Sequence, residues 1–157
     1  MTVIGLISDT HGLLRSDVHT ALAGVSMILH AGDVGGDEIL DELALIAPVQ
    51  AVYGNCDAPW DPRLAKERIV EVDGVRIHVS HGHELGRPRP AKVAAAYPGF
   101  DVLVHGHTHI QVVEHVGEVL VVNPGAAGAR RFDLRPSVAR LTIVDGRAEV
   151  ELVELAG

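Results

Sequence analysis

Five short apolar runs, each followed by a cluster of Asp, Asn, His and Gly, constrain the fold of this chain more than any other feature of its sequence. The runs are rich in Val, Ile and Leu, and they cover residues 3–7, 27–29, 49–53, 75–79 and 102–104. Short runs of this composition predict strands that are buried in a sheet. Ten of the 157 residues are histidines, and most of them lie within or beside the five clusters. The sequence therefore predicts a core of strands whose ends carry the polar chemistry.

Helical patterns lie between several of these strands. Residues 37–47 place Ile39, Leu43 and other apolar side chains on one face, and residues 90–97 begin at a proline and stop before the next one. Residues 14–22 form a weaker helical pattern. Strands that alternate with helices favour an α/β fold with parallel strand pairing.

The pattern changes after residue 109, where strands follow one another without helices. These strands are predicted at residues 110–115, 119–122, 138–144 and 148–155. Asp145 and Gly146 separate the last two strands, and this dipeptide is a strong signal for a hairpin. We therefore expect antiparallel pairing in this half of the chain. We also expect one domain over residues 1–157, in which two sheets pack face to face with helices outside.

Composition excludes several classes of function. The net charge is −8 and no run of Lys or Arg offsets it, so a general nucleic-acid-binding surface is not expected. The single cysteine rules out an internal disulfide framework. No stretch approaches a membrane span of about 18 apolar residues, and the first residues lack the basic segment of a signal peptide. We expect a cytoplasmic protein with no membrane partner.

The clusters at the strand ends contain donors for metal ions. Because the carboxyl ends of parallel strands share one edge of an α/β sheet, clusters that are far apart along the chain should meet there. Carboxylate, imidazole and amide donors without a set of thiolates exclude a structural zinc finger and suit Mn²⁺, Fe²⁺, Zn²⁺, Ni²⁺ or Co²⁺. The predicted ligands are Asp9, His11, Asp33, Asn55, His81, His107 and His109. This set exceeds the needs of one ion, and two divalent ions about 3.5–4 Å apart form the clamp used for displacement at phosphorus.

The same clusters form five motifs that occur together in a known family. In chain order they are D-x-H at Asp9 and His11, G-D at Asp33, G-N at Asn55, H-G at His81, and G-H-x-H at His107 and His109. This ordered set resembles the calcineurin-like metallophosphoesterase superfamily, in particular its branch of small single-domain bacterial and archaeal phosphodiesterases. The resemblance implies a four-layer αββα sandwich, in which two mixed β-sheets are flanked by helices.

The resemblance also implies a role for each ligand. It assigns Asp9, His11 and His109 to the first metal ion, Asn55, His81 and His107 to the second, and Asp33 to a bridging position. A hydroxide between the two ions would attack phosphorus opposite the leaving oxygen. Asp33, Asn55 and His81 are accordingly taken as the catalytic residues. Mn²⁺ is the ion expected first, with Ni²⁺, Fe²⁺, Zn²⁺ and Co²⁺ as alternatives.

One position departs from the superfamily pattern. Many members have G-N-H-[DE], in which the histidine lies near the leaving group and is taken as a general acid, whereas this chain has Asn55, Cys56 and Asp57. A thiol with a pKa of about 8.5 donates a proton less readily at neutral pH than an imidazole with a pKa of about 6.5. We therefore expect a preference for phosphodiesters or other activated esters. The alternative is that Cys56 is a small apolar filler.

The remaining histidines have weaker interpretations. His83 either has a role near the site or is exposed. His105 is expected to be buried, and His30 to hydrogen-bond residues of the site, because metal sites need such support. The other three are expected to be structural or on the surface, and they are His19, His78 and His115.

Three arginines and one tryptophan are further candidates. Arg15, Arg130 and Arg131 either contact a phosphate oxygen or are solvated on the surface. Trp60 either lines a substrate cleft or covers a loop.

The leading hypothesis is a metal-dependent phosphodiesterase that acts on small phosphodiester or phosphate-ester substrates. The negative charge would repel a long polyanion, so a nucleotide-sized diester is favoured over a duplex. The alternative is a non-catalytic scaffold for protein interactions on the same fold, like the retromer subunit that shares it. A scaffold need not keep the full set of ligands, whereas this chain has all of them. The terminal hairpins are candidates for the edge of a homo-oligomer.

Overall fold

A computed structural model of the chain describes residues 1–130 and 133–156. Its first sheet contains β1 Thr2–Ile7, β2 Met27–His30, β3 Val49–Val52, β4 Leu64–Ala65, β10 Ser137–Val144 and β11 Arg147–Glu154. The strand order is β11-β10-β1-β2-β3-β4. Strands β1 to β4 run parallel, whereas β10 is antiparallel to β1 and β11 is antiparallel to β10. The carboxyl ends of the parallel strands therefore share one edge of this sheet.

The second sheet is also mixed. It contains β5 Glu67–Val72, β6 Val75–Ser80, β7 Val102–Val104, β8 Val112–Val116 and β9 Val119–Asn123. The strand order is β5-β6-β7-β9-β8. The three central strands are parallel, and the two outer strands, β5 and β8, are each antiparallel to their neighbour.

Three short helices complete the described fold. They are α1 Asp17–Ala21, α2 Asp37–Leu43 and α3 Pro90–Ala96, and a 3₁₀ turn covers His83–Leu85. The acidic residues Asp37 and Glu38 lie in the first turn of α2, where negative charge stabilises a helix. Pro90 opens α3 because its fixed φ suits the first helical position. None of the helices in the described part of the chain has the length and apolar character that crossing a membrane requires.

The apolar core divides the molecule into four layers of secondary structure. The central part of the core lies between the sheets and contains Leu6 of the first sheet with Ile77 and Val104 of the second. α1 and α2 cover the outer face of the first sheet, where Ile7 is buried. α3 covers the outer face of the second sheet through Val93. Because successive residues of a strand point to opposite faces, each central strand contributes side chains both to the core between the sheets and to the core beneath the helices.

This architecture confirms the predicted αββα sandwich of two mixed sheets. The predicted hairpin at Asp145 and Gly146 is also present, with both residues at positive φ. The predicted helices are too long, since α2 ends at Leu43 and α3 at Ala96. The weak pattern over residues 14–22 contains the single-turn helix α1.

Two expectations about the strands are wrong. The sequence patterns do not predict β4, which has only two residues, or β5, in which exposed residues alternate with partly or fully buried ones instead of forming an apolar run. A second hairpin at Asp73 and Gly74, with φ of 49° and 82°, joins β5 to β6. The half after residue 109 is not wholly antiparallel, since β9 runs parallel to β7. The β8–β9 hairpin completes the second sheet, whereas β10 and β11 extend the first.

The packing between the sheets predicts which leucines stabilise the fold. Leu141 is fully buried in the central core, whereas Leu45 is 81% exposed. We expect Leu141→Ala to lower the free energy of unfolding by about 2–5 kcal/mol, because it removes buried apolar surface and leaves a cavity. Leu45→Ala should change it by about 0.5 kcal/mol or less. Urea unfolding of the two variants measures both values, and equal effects would contradict this description of the core.

Candidate metal centre

The loops that follow β1, β2, β6 and β7 meet where the corresponding edges of the two sheets come together. His81 Nε2 lies 3.2 Å from Asp33 Oδ2, and His109 Nε2 lies 3.3 Å from Asp9 Oδ1. His11 Nε2 lies 3.5 Å from Asp33 Oδ2. Residues that are up to 100 positions apart along the chain therefore form one cluster of carboxylate and imidazole groups.

The two oxygens of Asp9 have different surroundings. Oδ2 accepts hydrogen bonds from the Ser8 hydroxyl at 2.6 Å and from the His107 backbone N–H at 3.2 Å. Oδ1 is buried without a hydrogen-bond partner among the described residues, and it faces Nε2 of His11, His81 and His109 at 3.7, 3.7 and 3.3 Å. Burial acts to raise the pKa of Asp9, but these imidazoles and the Ser8 hydroxyl hold that pKa well below its usual range. Asp9 is therefore an anion with one oxygen directed into the cluster.

Asp33 repeats this arrangement from the loop after β2. Its Oδ1 accepts the Cys56 backbone N–H at 2.8 Å, and its Oδ2 faces the imidazoles of His81 and His11. Burial acts to raise the pKa of Asp33, but the neighbouring His81 and the Cys56 backbone N–H lower it overall.

His81 presents one ring nitrogen to these carboxylates. Its Nδ1 lies 2.7 Å from the backbone carbonyl of Ala31, and a carbonyl only accepts, so Nδ1 donates this hydrogen bond. In the neutral ring, Nε2 then carries a lone pair, and it is buried without a hydrogen-bond partner among the described residues. Burial acts to lower the pKa of His81, but Asp33 and Asp9 raise it overall.

Asn55 and His107 lie on the exposed side of the cluster. Asn55 Oδ1 is 3.2 Å from His107 Nδ1. Burial and the neighbouring His81 lower the pKa of His107, which favours its neutral form. The structure thus brings all of the sequence-predicted ligand residues to one rim.

The backbone of this rim is unusual. Among the described residues other than glycine, positive φ occurs at seven positions, and five of these are predicted ligands: Asp9, His11, Asp33, His107 and His109. Asp and His tolerate the left-handed region better than most residues, but it still costs free energy, and such positions cluster at functional sites. Close approach adds a second constraint, because a Cβ at Gly106 would lie 2.0 Å from Ser8 Oγ and 2.5 Å from Asp9 Oδ2.

His30 connects the loops after β1 and β2 through hydrogen bonds, as predicted. Its Nδ1 accepts the Gly32 N–H at 3.1 Å, and its Nε2 lies 3.0 Å from Thr10 Oγ1. The Thr10 hydroxyl donates to the Val34 carbonyl at 2.7 Å, so the hydrogen between Thr10 and His30 belongs to Nε2. This chain of bonds fixes Thr10, which lies between two predicted ligands, to the Asp33 loop.

Two further side chains organise the rim, and the sequence analysis assigned no role to them. The carboxylate of Asp57 accepts backbone N–H groups from Val34, Gly35 and Gly54 at 3.0, 3.1 and 2.9 Å. The buried Asn123 amide donates to the Gly106 carbonyl at 3.2 Å and to Thr108 Oγ1 at 3.1 Å. The position of Asp57 directly after the G-N motif is the one sequence signal that could have identified it.

The sequence suggested three arginines and one tryptophan as substrate contacts. Arg15 donates to the backbone carbonyls of Gly128 and Ala156, both at 2.9 Å, so it ties loops together instead of facing the cluster. Arg130 is exposed, and Arg131 lies outside the described residues. Trp60 is 83% exposed.

The remaining histidines lie beside the cluster, in the core or at the surface. His83 lies beside the cluster, with its ring 5.5 Å from that of His81, and His105 is buried. His19 and His115 are at the surface, while His78 is buried against Tyr97.

The donor set fits divalent metal ions. Three groups of side chains each offer ligand atoms that lie within 4.8 Å of one another: Asp9, His11 and His109; Asp9, Asp33 and His81; and His11, Asp33 and Cys56. Asp9 Oδ1 and His81 Nε2 are buried and accept no hydrogen bond from the described residues, as metal-binding atoms would. Hydrogen bonds to the opposite ends of the same side chains fix their orientation, which is how metal ligands are supported in proteins.

Burial of His30 predicts a pH dependence of stability. Burial lowers the pKa of His30 from 6.5 to about 4. Between these two pH values, the histidine at position 30 binds a proton more readily in the unfolded chain than in the folded chain. The stability that neutral His30 permits is therefore complete above pH 6.5, and it is lost as the pH falls toward about 4. We expect His30→Gln to lack this loss, which amounts to at most about 3 kcal/mol.

Urea unfolding with chelator, in steps from about pH 7 to about pH 5, measures this difference. The stability advantage of the wild type over His30→Gln should shrink in acid, while the exposed His115→Gln should follow the wild type. Parallel curves for all three proteins would contradict the role of His30.

Comparisons with known proteins show the family of the chain. The model of the calcineurin-like phosphoesterase superfamily domain matches residues 1–146. A probable metallophosphoesterase of Methanothermobacter thermautotrophicus is 33% identical over 158 residues, covering 96% of this chain and 91% of that protein. Phosphodiesterase YfcE of Escherichia coli is 39% identical over 143 residues, covering 76% of each chain.

A solved structure is similar over almost the whole length. Wild-type Vps29 from Entamoeba histolytica, crystallised as a complex with zinc, has a TM-score of 0.79 and 26% identity, covering 98% of this chain and 99% of that one. The family match and the identity to full-length relatives lead to one conclusion. This chain belongs to the calcineurin-like phosphoesterase superfamily.

Proposed function

We propose that this protein is a metal-dependent phosphodiesterase that hydrolyses small phosphodiesters with two divalent metal ions. Its membership of a family of metallophosphoesterases supports the reaction class. The observation that carries the proposal is the pair of buried donor atoms without hydrogen-bond partners, Asp9 Oδ1 and His81 Nε2, which face the same cluster. A purely structural network of this kind would leave two buried polar atoms unsatisfied, at a cost of about 1–3 kcal/mol each.

The proposed division of ligands follows the pattern of the superfamily that the chain belongs to. In that pattern Asp9, His11 and His109 would hold one ion and Asn55, His81 and His107 would hold the other. Asp33 would be shared between the two ions. Bound divalent ions would lower the pKa of water and offset the charge of the phosphoryl oxygens. We expect Mn²⁺ first, with Ni²⁺, Fe²⁺, Zn²⁺ and Co²⁺ as alternatives, because this mixture of O and N donors suits all of them.

The side chains around the ligands have a positioning role in this proposal. Ser8 and the His107 N–H hold one oxygen of Asp9, so the other stays directed into the cluster. The Ala31 carbonyl holds Nδ1 of His81, which keeps Nε2 available as a donor. Each of these bonds fixes a ligand before an ion arrives, and this reduces the ordering that binding requires.

The charge of the chain favours a small substrate. With a net charge of −8, attraction for a phosphate group comes mainly from the ions themselves, which are local. Arg15, one of the arginines considered for a phosphate contact, is engaged by backbone carbonyls. A diester with a short leaving group therefore fits the rim better than a long polyanion.

Replacing the bridging carboxylate tests the proposed function. Asp33→Asn keeps the shape of the side chain and tolerates positive φ, but it removes the negative charge. We expect it to lower Mn²⁺ affinity by about tenfold or more and diesterase activity by about 100-fold or more. Isothermal titration with Mn²⁺ and assays on bis-p-nitrophenyl phosphate measure the two effects.

The matched control is Asp145→Asn, an exposed aspartate that also has positive φ. It should retain the wild-type affinity and rate. Wild-type activity in Asp33→Asn, or no Mn²⁺ uptake by the wild type, would overturn the proposal.

The leaving group provides a second test. A thiol at position 56 is a weak proton donor, so the enzyme should hydrolyse substrates with acidic leaving groups far better than those with basic ones. We expect Cys56→His to reduce this difference, because an imidazole near the leaving oxygen can protonate it at neutral pH. Rates on a series of aryl and alkyl phosphodiesters measure the dependence, with Cys56→Ser as the control. An unchanged dependence in Cys56→His would contradict this role of the position.

A non-catalytic interaction scaffold on the same fold is the second candidate. The likeness to Vps29 over nearly the whole chain makes this alternative relevant. The complete set of seven predicted ligands in this chain favours catalysis, since a scaffold does not require them. A metal-loaded protein without activity on any phosphoester would favour the scaffold.

A further inference from the structure

We propose that the thiolate of Cys56 is a metal donor together with His11 and Asp33, so that this centre combines nitrogen, oxygen and sulfur ligands. The inference rests on the metal centre of the proposed function. It adds a donor at the position where the superfamily pattern has a histidine near the leaving group. It also changes the chemistry expected of the centre, since sulfur selects softer metals than oxygen does.

The first observation is the grouping of three possible donor atoms. A ring nitrogen of His11, a carboxylate oxygen of Asp33 and Sγ of Cys56 lie within 4.8 Å of one another. Because each ligand lies about 2.0–2.3 Å from the metal, the ligands of one ion are separated by at most roughly 4.6 Å, which is slightly below this limit.

The second observation is independent of the cysteine. Asp9 Oδ1, buried and without a hydrogen-bond partner among the described residues, lies 3.7 Å from His11 Nε2. His81 Nε2, also buried and unpartnered, lies 3.2 Å from Asp33 Oδ2. Two further donor atoms therefore lie beside His11 and Asp33, the two residues that Cys56 accompanies. The thiol lies at the edge of a group already suited to an ion.

The backbone holds Cys56 beside Asp33. The Cys56 N–H donates to Asp33 Oδ1 at 2.8 Å. The Asp57 carboxylate, which accepts N–H groups of Gly54 and Val34, anchors both ends of this contact. The Asn55 amide lies 3.6 Å from Cys56 Sγ with its N–H directed at the sulfur, which stabilises a thiolate. The loop thus presents the sulfur from a fixed position.

The coordination step is balanced by release of a proton. The S–H bond breaks, a bond forms between sulfur and the metal ion, and the proton passes to the solvent. A coordinated sulfur has no proton to give to a leaving group. The inference therefore agrees with the expected preference for activated esters and diesters, and it supplies a physical cause for it.

Cobalt spectroscopy tests the inference in the intact protein. Co²⁺ bound by histidine and aspartate gives visible d–d absorption, whereas a thiolate ligand adds an intense charge-transfer band in the near ultraviolet. Cys56 is the chain's single cysteine, so any such band must come from it. We expect titration of the wild type with Co²⁺ to produce both signals together and Cys56→Ser to retain only the d–d bands.

The affinity for a soft ion gives a second readout. Cys56→Ser should lower Cd²⁺ affinity by about tenfold or more and Mn²⁺ affinity by a clearly smaller factor, because Mn²⁺ prefers oxygen and nitrogen ligands. The control Asp145→Asn should change neither value.

The outcomes separate the two proposals. If the d–d bands appear without a charge-transfer band, the metal centre stands and the role of Cys56 is rejected. If Co²⁺ and Mn²⁺ both fail to bind, the proposed function fails, and the thiolate ligand fails with it.

Discussion

The unequal use of the two oxygens of Asp9 is the interaction on which the rim depends. One oxygen accepts the Ser8 hydroxyl and the His107 N–H, and thereby joins the loop after β1 to the loop after β7. The other faces three imidazoles. Asp33 and His81 follow the same principle, because each binds a backbone group at one end and faces the cluster with the other. Orientation of the inner atoms thus comes from bonds on their outer sides.

The position of the candidate site was predictable because it lies at strand ends. Val, Ile and Leu runs mark buried strands, and Asp and Gly end them, so the clusters around Asp9, Asp33, Asn55, His81 and His107 had to lie where chains leave the sheets. The same reasoning gives two mixed sheets with helices outside, which the topology confirms. Which ligand holds which ion stays a prediction.

Other features depend on contacts between distant residues, which local patterns do not contain. Asp57 looks like an ordinary turn residue until three N–H groups from two loops converge on its carboxylate. Arg15 looks like a phosphate ligand until the carbonyls of Gly128 and Ala156 are seen to occupy its guanidinium. Strand β5 was missed because one of its faces is exposed, and a strand with only one buried face needs no continuous apolar run.

The donor atoms come from both sheets, and this has a mechanical consequence. Asp9 and Asp33 follow strands of the first sheet, whereas His81 and His107 follow strands of the second. An ion shared between them would act as a cross-link at one end of the interface, while the apolar core and hydrogen bonds such as that from Arg68 Nε to the Ala51 carbonyl join the rest of it. Gain or loss of the ion would then govern how freely one sheet slides over the other at that end.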